Sequence, residues 1–158
     1  MFNERWDRHF LKLALVHAEM SKDPRTRVGA VIVGPEKNIV SAGFNGFPRG
    51  IGDFPERLLS RELKLRLIVH AELNAILLAP HRPANCTLYL AITDDSGKVW
   101  GGPPCTRCTT HIIQSGITDI VSHQTKNHEA SNWHEDIRFA GALLMEAGIA
   151  YREWPAAN

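Results

Sequence analysis

Val28-Gly29-Ala30-Val31-Ile32-Val33, then Gly34-Pro35-Glu36-Lys37-Asn38, then Ile39-Val40-Ser41-Ala42-Gly43-Phe44: two apolar runs around a turn-forming segment read as a β-hairpin. Upstream of it, Trp6, Phe10, Leu13, His17 and Met20 recur at helical spacing behind Asn3, an N-cap residue type. That helix ends near Lys22-Asp23-Pro24. Downstream, residues 45–52 hold three Gly and one Pro and form a loop. Residues 55–67 read as helix, and a further helix over 69–78 is stopped by Pro80. A buried strand over 87–92, an irregular segment over 94–104 and a helix over 106–115 capped by Gly116 follow. The chain closes with a strand over 117–122, a polar stretch, a helix over 133–147 capped by Gly148 and a strand over 149–152. The order αββ followed by repeated αβ predicts an α/β fold with a mixed sheet of about five strands and helices on both faces.

The bulk properties fit one ordinary globular domain over residues 1–158. Eighteen Lys and Arg oppose seventeen Asp and Glu, a formal charge of +1. No sequence-wide field favours a nucleic acid or an acidic membrane as partner. The first residues lack the apolar core of a signal peptide and no run of about 18 apolar residues occurs, so a soluble, cytoplasmic protein is expected. Three cysteines, an odd and sparse count, suit a reducing compartment.

Two separated motifs carry the chemistry. His70-Ala71-Glu72 opens one predicted helix, and Pro104-Cys105-Thr106-Arg107-Cys108 opens another. Cysteines at i and i+3 point to one side of a helix, and a helix N-terminus favours the thiolate that binds zinc. His70, Cys105 and Cys108 would supply three ligands to one Zn2+ per chain. A catalytic site of this kind keeps its fourth position for water, whose pKa is drawn toward about 7 so that hydroxide becomes available as nucleophile. Glu72, two residues beyond the histidine, is then the proton carrier. His-x-Glu followed by Pro-Cys-x-x-Cys is the signature of zinc nucleobase deaminases.

With these residues in place, the chain resembles the cytidine and deoxycytidylate deaminase superfamily, and within it the nucleotide monophosphate branch. The resemblance covers Ser21-Lys22-Asp23-Pro24-Arg25-Thr26-Arg27-Val28-Gly29-Ala30, Gly43-Phe44-Asn45-Gly46-Phe47-Pro48, His70-Ala71-Glu72-Leu73-Asn74-Ala75-Ile76, Leu88-Tyr89 and Pro104 to Cys108. It continues through Ile112-Ile113-Gln114-Ser115-Gly116-Ile117. It implies a three-layer αβα cytidine-deaminase-like fold and hydrolytic conversion of dCMP to dUMP and ammonia. It also implies that Asn45 bonds the sugar hydroxyl and that the backbone amide of Ala71 meets the pyrimidine carbonyl. A homo-oligomer, a hexamer, with dCTP and dTTP as effectors, follows from the same likeness. Relatives run from the strand straight into Pro-Cys, whereas residues 94–103 interpose an extra loop here. That loop leaves a modified cytosine or aminopurine nucleoside monophosphate open as substrate. Some relatives carry a second zinc with a cysteine after the Asn-Gly-x-Pro loop, where this chain reads Gly50-Ile51-Gly52-Asp53, so one zinc is expected.

Plainer readings stand beside these. A lone Cys-x-x-Cys also suits a redox pair or half of a structural site. Asn45-Gly46 is a common tight-turn pair, and Cys86 before a strand is most often a small buried hydrophobe. Arg25, Arg27 and Arg49 are equally solvated charges or phosphate ligands; Arg27, beside the strand entrance, is chosen for the phosphate. His111, His123, His128 and His134 have irregular spacing and read as surface or core histidines. Trp100 is either a lid over the base or a packing residue. A non-catalytic nucleotide-binding zinc module is disfavoured by Glu72, which a structural site does not need.

Overall fold

The computed structural model describes residues 3–124 and 134–155. The hairpin forms as expected: β1 (Thr26–Val33) and β2 (Ile39–Phe44) are antiparallel, closed by a 2.9 Å bond from the Gly34 amide to the Asn38 carbonyl. β3 (Thr87–Asp94) lies antiparallel on the other side of β1, and β5 (Asp119–His123) and β6 (Ala150–Trp154) continue the sheet in parallel, in the order β2-β1-β3-β5-β6.

The main order holds the five strands expected, and among the described residues the extra loop adds a sixth off that path, β4 (Val99–Trp100). The Asp94 carboxylate accepts from the Ser96 amide, the Ser96 hydroxyl and the Lys98 amide, and Gly97 takes φ 79°. This turn folds Val99 and Trp100 back onto Thr93 and Ile92. β3 therefore runs to Asp94, past its expected end.

Helices cover both faces, giving the three-layer αβα arrangement. On one face α1 (Glu4–Ala18) buries Phe10, Leu11 and Ala14 against Val31, Val33, Tyr89, Ala91 and Val121. On the other, α4 (Ala71–Leu78), α5 (Thr106–Ser115) and α6 (His134–Glu146) enclose Ala30, Ile32, Leu88, Leu90, Ile112, Ile120 and Leu144. The alternation of side chains along a strand sends even-numbered β1 and β3 residues to the second face and odd-numbered ones to α1.

The helix expected over 55–67 is two: α2 (Pro55–Leu59) and α3 (Arg61–Leu67). Ser60 is extended at φ −77° and ψ 109°, and its hydroxyl caps α3 by accepting from the Leu63 amide. The helix expected from Val69 begins at Ala71, since Val69 exchanges two backbone bonds with Gly46. Trp133, the expected start of the last helix, and His128 lie outside the described residues. No described helix is long and apolar enough to cross a membrane.

Candidate active site

The first turns of α4 and α5 meet above the sheet, and His70 and Cys105 are their N-cap residues. Both are extended, at ψ 153° and 160°, and neither uses its side chain to cap its own helix. Those side chains are thereby free to face each other. His70 Nδ1 is 3.5 Å from Cys105 Sγ and 3.4 Å from Cys108 Sγ. All three donor atoms lie within 4.8 Å of one another. Tetrahedral zinc with Zn–S of about 2.3 Å and Zn–N of about 2.0–2.1 Å requires N···S separations of roughly 3.5 Å. The spacing is that of three corners of a tetrahedron, so the residues fit one zinc ion. Among the described residues no fourth His, Cys, Asp or Glu joins the cluster.

The electrostatics of the cluster are those of a shared proton. The hydrogen bond from Cys108, and then His70, draw the Cys105 thiol down to about 4 against the cost of burial. Cys108 is pushed up, first by the bond it gives to Cys105 and then by burial. His70 is raised by its bond to Cys105. Glu72, 5% exposed in the first turn of α4, is raised by burial, with the His70 charge acting the other way. A carboxyl held toward its neutral form beside metal donors is the state a proton carrier needs.

Packing fixes this arrangement through a close helix–strand approach. A Cβ on Gly43 of β2 would stand 2.5 Å from the Ala71 carbonyl and 2.5 Å from the Ala75 amide. Only glycine lets α4 lie this low. The Ser41 hydroxyl donates to the Ala75 carbonyl and Asn74 Nδ2 to the Phe44 carbonyl, tying α4 to β2. Ala71 is fully buried, and its amide belongs to the first turn, where no helical carbonyl accepts.

Asn45 is buried beside this site but is heavily engaged. Its Oδ1 accepts from the Val28 amide at 2.8 Å, its Nδ2 donates to the Thr26 carbonyl at 2.9 Å, and its own carbonyl accepts from Ser21. One Nδ2 hydrogen is left for another acceptor. Its neighbour Gly46 pairs with Val69, next to His70. Arg27 is not brought to the cluster: it leaves β1 on the α1 face level with Thr93, and its buried Nε has no partner among the described residues. Arg25 and Arg49 are exposed. Cys86 is a buried core residue, His123 is buried at the end of β5, and His111 and His134 are outside the cluster.

Two supporting residues escape a reading along the chain. Asp136 of α6 accepts from the Thr106 amide at 2.9 Å and, through its carbonyl, from the Thr106 hydroxyl. It caps the helix that carries both cysteines. Lys64 of α3 reaches the buried Asp23, which also accepts from the Arg25 and Thr26 amides and so fixes the start of β1. Asp23-Pro24 is a visible turn signal, but its cation comes from 41 residues away.

An α/β sheet presenting one histidine and two cysteines at facing helix N-termini, with a buried carboxyl beside them, defines a metal-dependent enzyme site. Known proteins agree. The family model of the cytidine and deoxycytidylate deaminase zinc-binding region matches residues 4–124, and the chain belongs to that family. The deoxycytidylate deaminase of Mus musculus is 33% identical over 155 residues, covering 94% of this chain and 79% of its own length. An uncharacterized deaminase from the luxG 3' region of Aliivibrio fischeri is 34% identical over 145 residues, covering 92% and 90%. The crystal structure of dCMP deaminase from cyanophage S-TIM5, in complex with dCMP and dUMP, superposes with a TM-score of 0.72 over 98% of this chain and 100% of that one. At 18% identity, that likeness is one of fold.

Proposed function

We propose that this chain is a zinc-dependent dCMP deaminase, taking dCMP and water to dUMP and ammonia. The observation that carries the reading is the triangle of His70, Cys105 and Cys108 at zinc-like separations with the buried Glu72 beside it. Held by these three donors, zinc supplies Lewis acidity that lowers the pKa of water toward about 7. Glu72, as the carboxylate, takes a first proton from the attacking water and passes it to the pyrimidine ring nitrogen. It then takes the second from the hydroxyl added at C4 and passes it to the amine, which leaves as ammonia as the C–N bond breaks and the C4 carbonyl forms. The Ala71 amide donates to the pyrimidine carbonyl, and the remaining Nδ2 hydrogen of Asn45 to the sugar. Arg27, whose buried Nε is unengaged among the described residues, is the cation proposed for the phosphate; because it leaves β1 on the α1 face, this role requires its guanidinium to reach round the strand entrance toward Asn45.

The relatives named deoxycytidylate deaminase support dCMP as substrate. The β3–β4 hairpin, which leads straight into Cys105, supports a second reading in which the base is a modified cytosine or an aminopurine. Ammonia release by zinc-loaded protein across a panel of amino-bearing nucleoside monophosphates separates them. No release from dCMP refutes the first reading.

The relatives named deoxycytidylate deaminase support a small-molecule nucleotide as partner. Exposed Leu59, Leu63, Leu65, Leu77 and Leu78 on α2, α3 and α4 support a homo-oligomer, read as a hexamer. Light scattering of the purified protein gives the copy number, and turnover with added dCTP or dTTP tests these as effectors. Three free cysteines support a cytoplasmic setting.

A further inference from the structure

On the sheet face below α4 and α5, two transverse rows of side chains differ in how they are covered. The first is Gly43, Ala30, Leu90 and Ser122, linked by strand register and lying under the helices. Ala30, Leu90 and Ser122 are each 1% exposed or less. The second row is one step along the strands, in front of the α4 N-terminus. It runs from Asn45, bonded to the Val28 amide, through Val28 and its partner Ile92 to Trp100, the partner of Ile92 in β4. Val28, Ile92 and Trp100 are all only half-buried. Val28 packs, as Cys105 does, against the core cluster that contains Cys108.

Three adjacent apolar side chains, partly open beside the closed first row, form a floor. Ala71 lies above Gly43 of the first row, so the helix N-terminus and Glu72 border the second. Asn45 closes one end of this floor and Trp100 the other. Adjacent strands are about 4.8 Å apart, so the three steps from Asn45 to Trp100 span roughly 14 Å, the length scale of a nucleotide.

The segment joining Trp100 to the cysteine motif is held firmly. A Cβ on Gly101 would collide with the His123 carbonyl, so only glycine allows the chain to pass there. The Gly102 amide donates to the Ser122 hydroxyl at 3.3 Å, anchoring the chain at the end of β5 before it reaches Pro104 and Cys105. Trp100 is thus placed by a paired strand on one side and a backbone anchor on the other. Its face, set by the register with Ile92, is that of the metal cluster.

We infer that Trp100 is a specificity-determining residue whose indole contacts the base of a nucleoside monophosphate bound over Val28 and Ile92. The inference rests on the proposed function for the identity of the ligand. An indole offers a broad apolar face that stacks on any base. Its position on an added hairpin makes the choice of base a property of that hairpin.

The test uses the full-length zinc-loaded protein and its W100A and W100F variants. With dCMP, W100A should raise KM roughly 5- to 150-fold, the size of losing a base–aromatic contact. Its kcat should stay within a few-fold, and W100F should recover most of the loss. In a Glu72→Gln background, which binds without turnover, nucleotide should quench tryptophan emission, and W100F should remove that quench although the other three Trp remain. Unchanged KM in W100A, or a quench that survives in W100F, overturns the inference while leaving dCMP turnover standing. If wild type does not act on dCMP, the same titration is run with the amino-bearing monophosphate panel. A Trp100-dependent quench by any of these supports the role of Trp100 even as the dCMP reading fails. None across the panel overturns it.

Discussion

The two faces of the sheet each bury a carboxylate and treat it in opposite ways. On the α1 face, Asp7 is 3% exposed and fully engaged: it accepts from the Tyr89 hydroxyl at 2.8 Å and pairs with Arg152 at 3.3 Å, while Arg152 also reaches Asp119. On the α4–α5 face, Glu72 is 5% exposed and meets an imidazole and two thiols, with no Lys or Arg ion pair among the described residues. A buried carboxylate that is ion-paired serves structure; a buried carboxyl beside metal donors, pushed toward its neutral form, suits proton transfer. The contrast extends to the apolar residues, which are closed under α1 and partly open in front of α4.

Exchanging the roles of the two carboxylates breaks the comparison most sharply. Glu72→Gln removes the proposed proton carrier without changing shape, and turnover should fall by about 10²–10⁴-fold or more while zinc content and nucleotide binding hold. Asp7→Asn should do the reverse. Stability should drop by about 3 kcal/mol, the low end for a broken buried pair because Arg152 keeps Asp119, and turnover by the folded fraction should be unchanged. Denaturant unfolding and steady-state kinetics on both variants decide. Active Glu72→Gln protein, or an Asp7 variant that folds normally yet is inactive, would erase the distinction.

The metal side of the contrast is graded. Cys108→Ser should lose stoichiometric zinc, because a neutral hydroxyl replaces a thiolate, and chelator competition should show this directly. Asp136→Ala should weaken zinc by roughly tenfold, the lower part of the range for groups that position ligands, since the first turn of α5 then loses its cap. Asp136→Asn, which keeps an acceptor oxygen for the Thr106 amide, should restore most of the affinity. Equal zinc affinity in all three proteins would show that α6 merely packs on α5.

These supports mark the limit of what the sequence disclosed. The donor set was legible because metal chemistry fixes residue types at short spacing, and the start of α5 just after Cys105 followed from its apolar period, whereas the N-cap position of His70 did not, since the pairing of Val69 with Gly46 delays α4 to Ala71. The hairpin and helical layers were legible for the same reason of period. The α5 cap by Asp136 was not, since it closes across 30 residues with no local pattern to announce it. β4 was missed because two residues are too few to show any period, although Asp94-Asp95-Ser96-Gly97 carried the turn chemistry. The break at Ser60 had its signal, a hydroxyl three residues before Leu63, hidden inside one continuous helical pattern. Arg27 shows a different limit: its identity suited a phosphate, but only the register with Thr93 reveals which face it leaves from.

The smallest expected effect returns to the α1 face and concerns pH. His123, 5% exposed at the end of β5 beside Trp154 and with neither ring nitrogen hydrogen-bonded among the described residues, is drawn below the ordinary histidine range by burial. Its folded form therefore prefers to be neutral. The unfolded chain takes up the proton first as pH falls through about 6.5, so the stability this histidine contributes is complete above that value and is lost as pH drops toward its folded pKa. His123→Phe keeps a ring in the same space and has nothing to titrate. Its unfolding midpoint should vary less between pH 7 and pH 5 than that of the parent, with Glu72-dependent turnover at pH 7.5 unaltered. A variant whose acid limb is as steep as the parent's would assign that limb elsewhere, His17 first, since burial lowers it too.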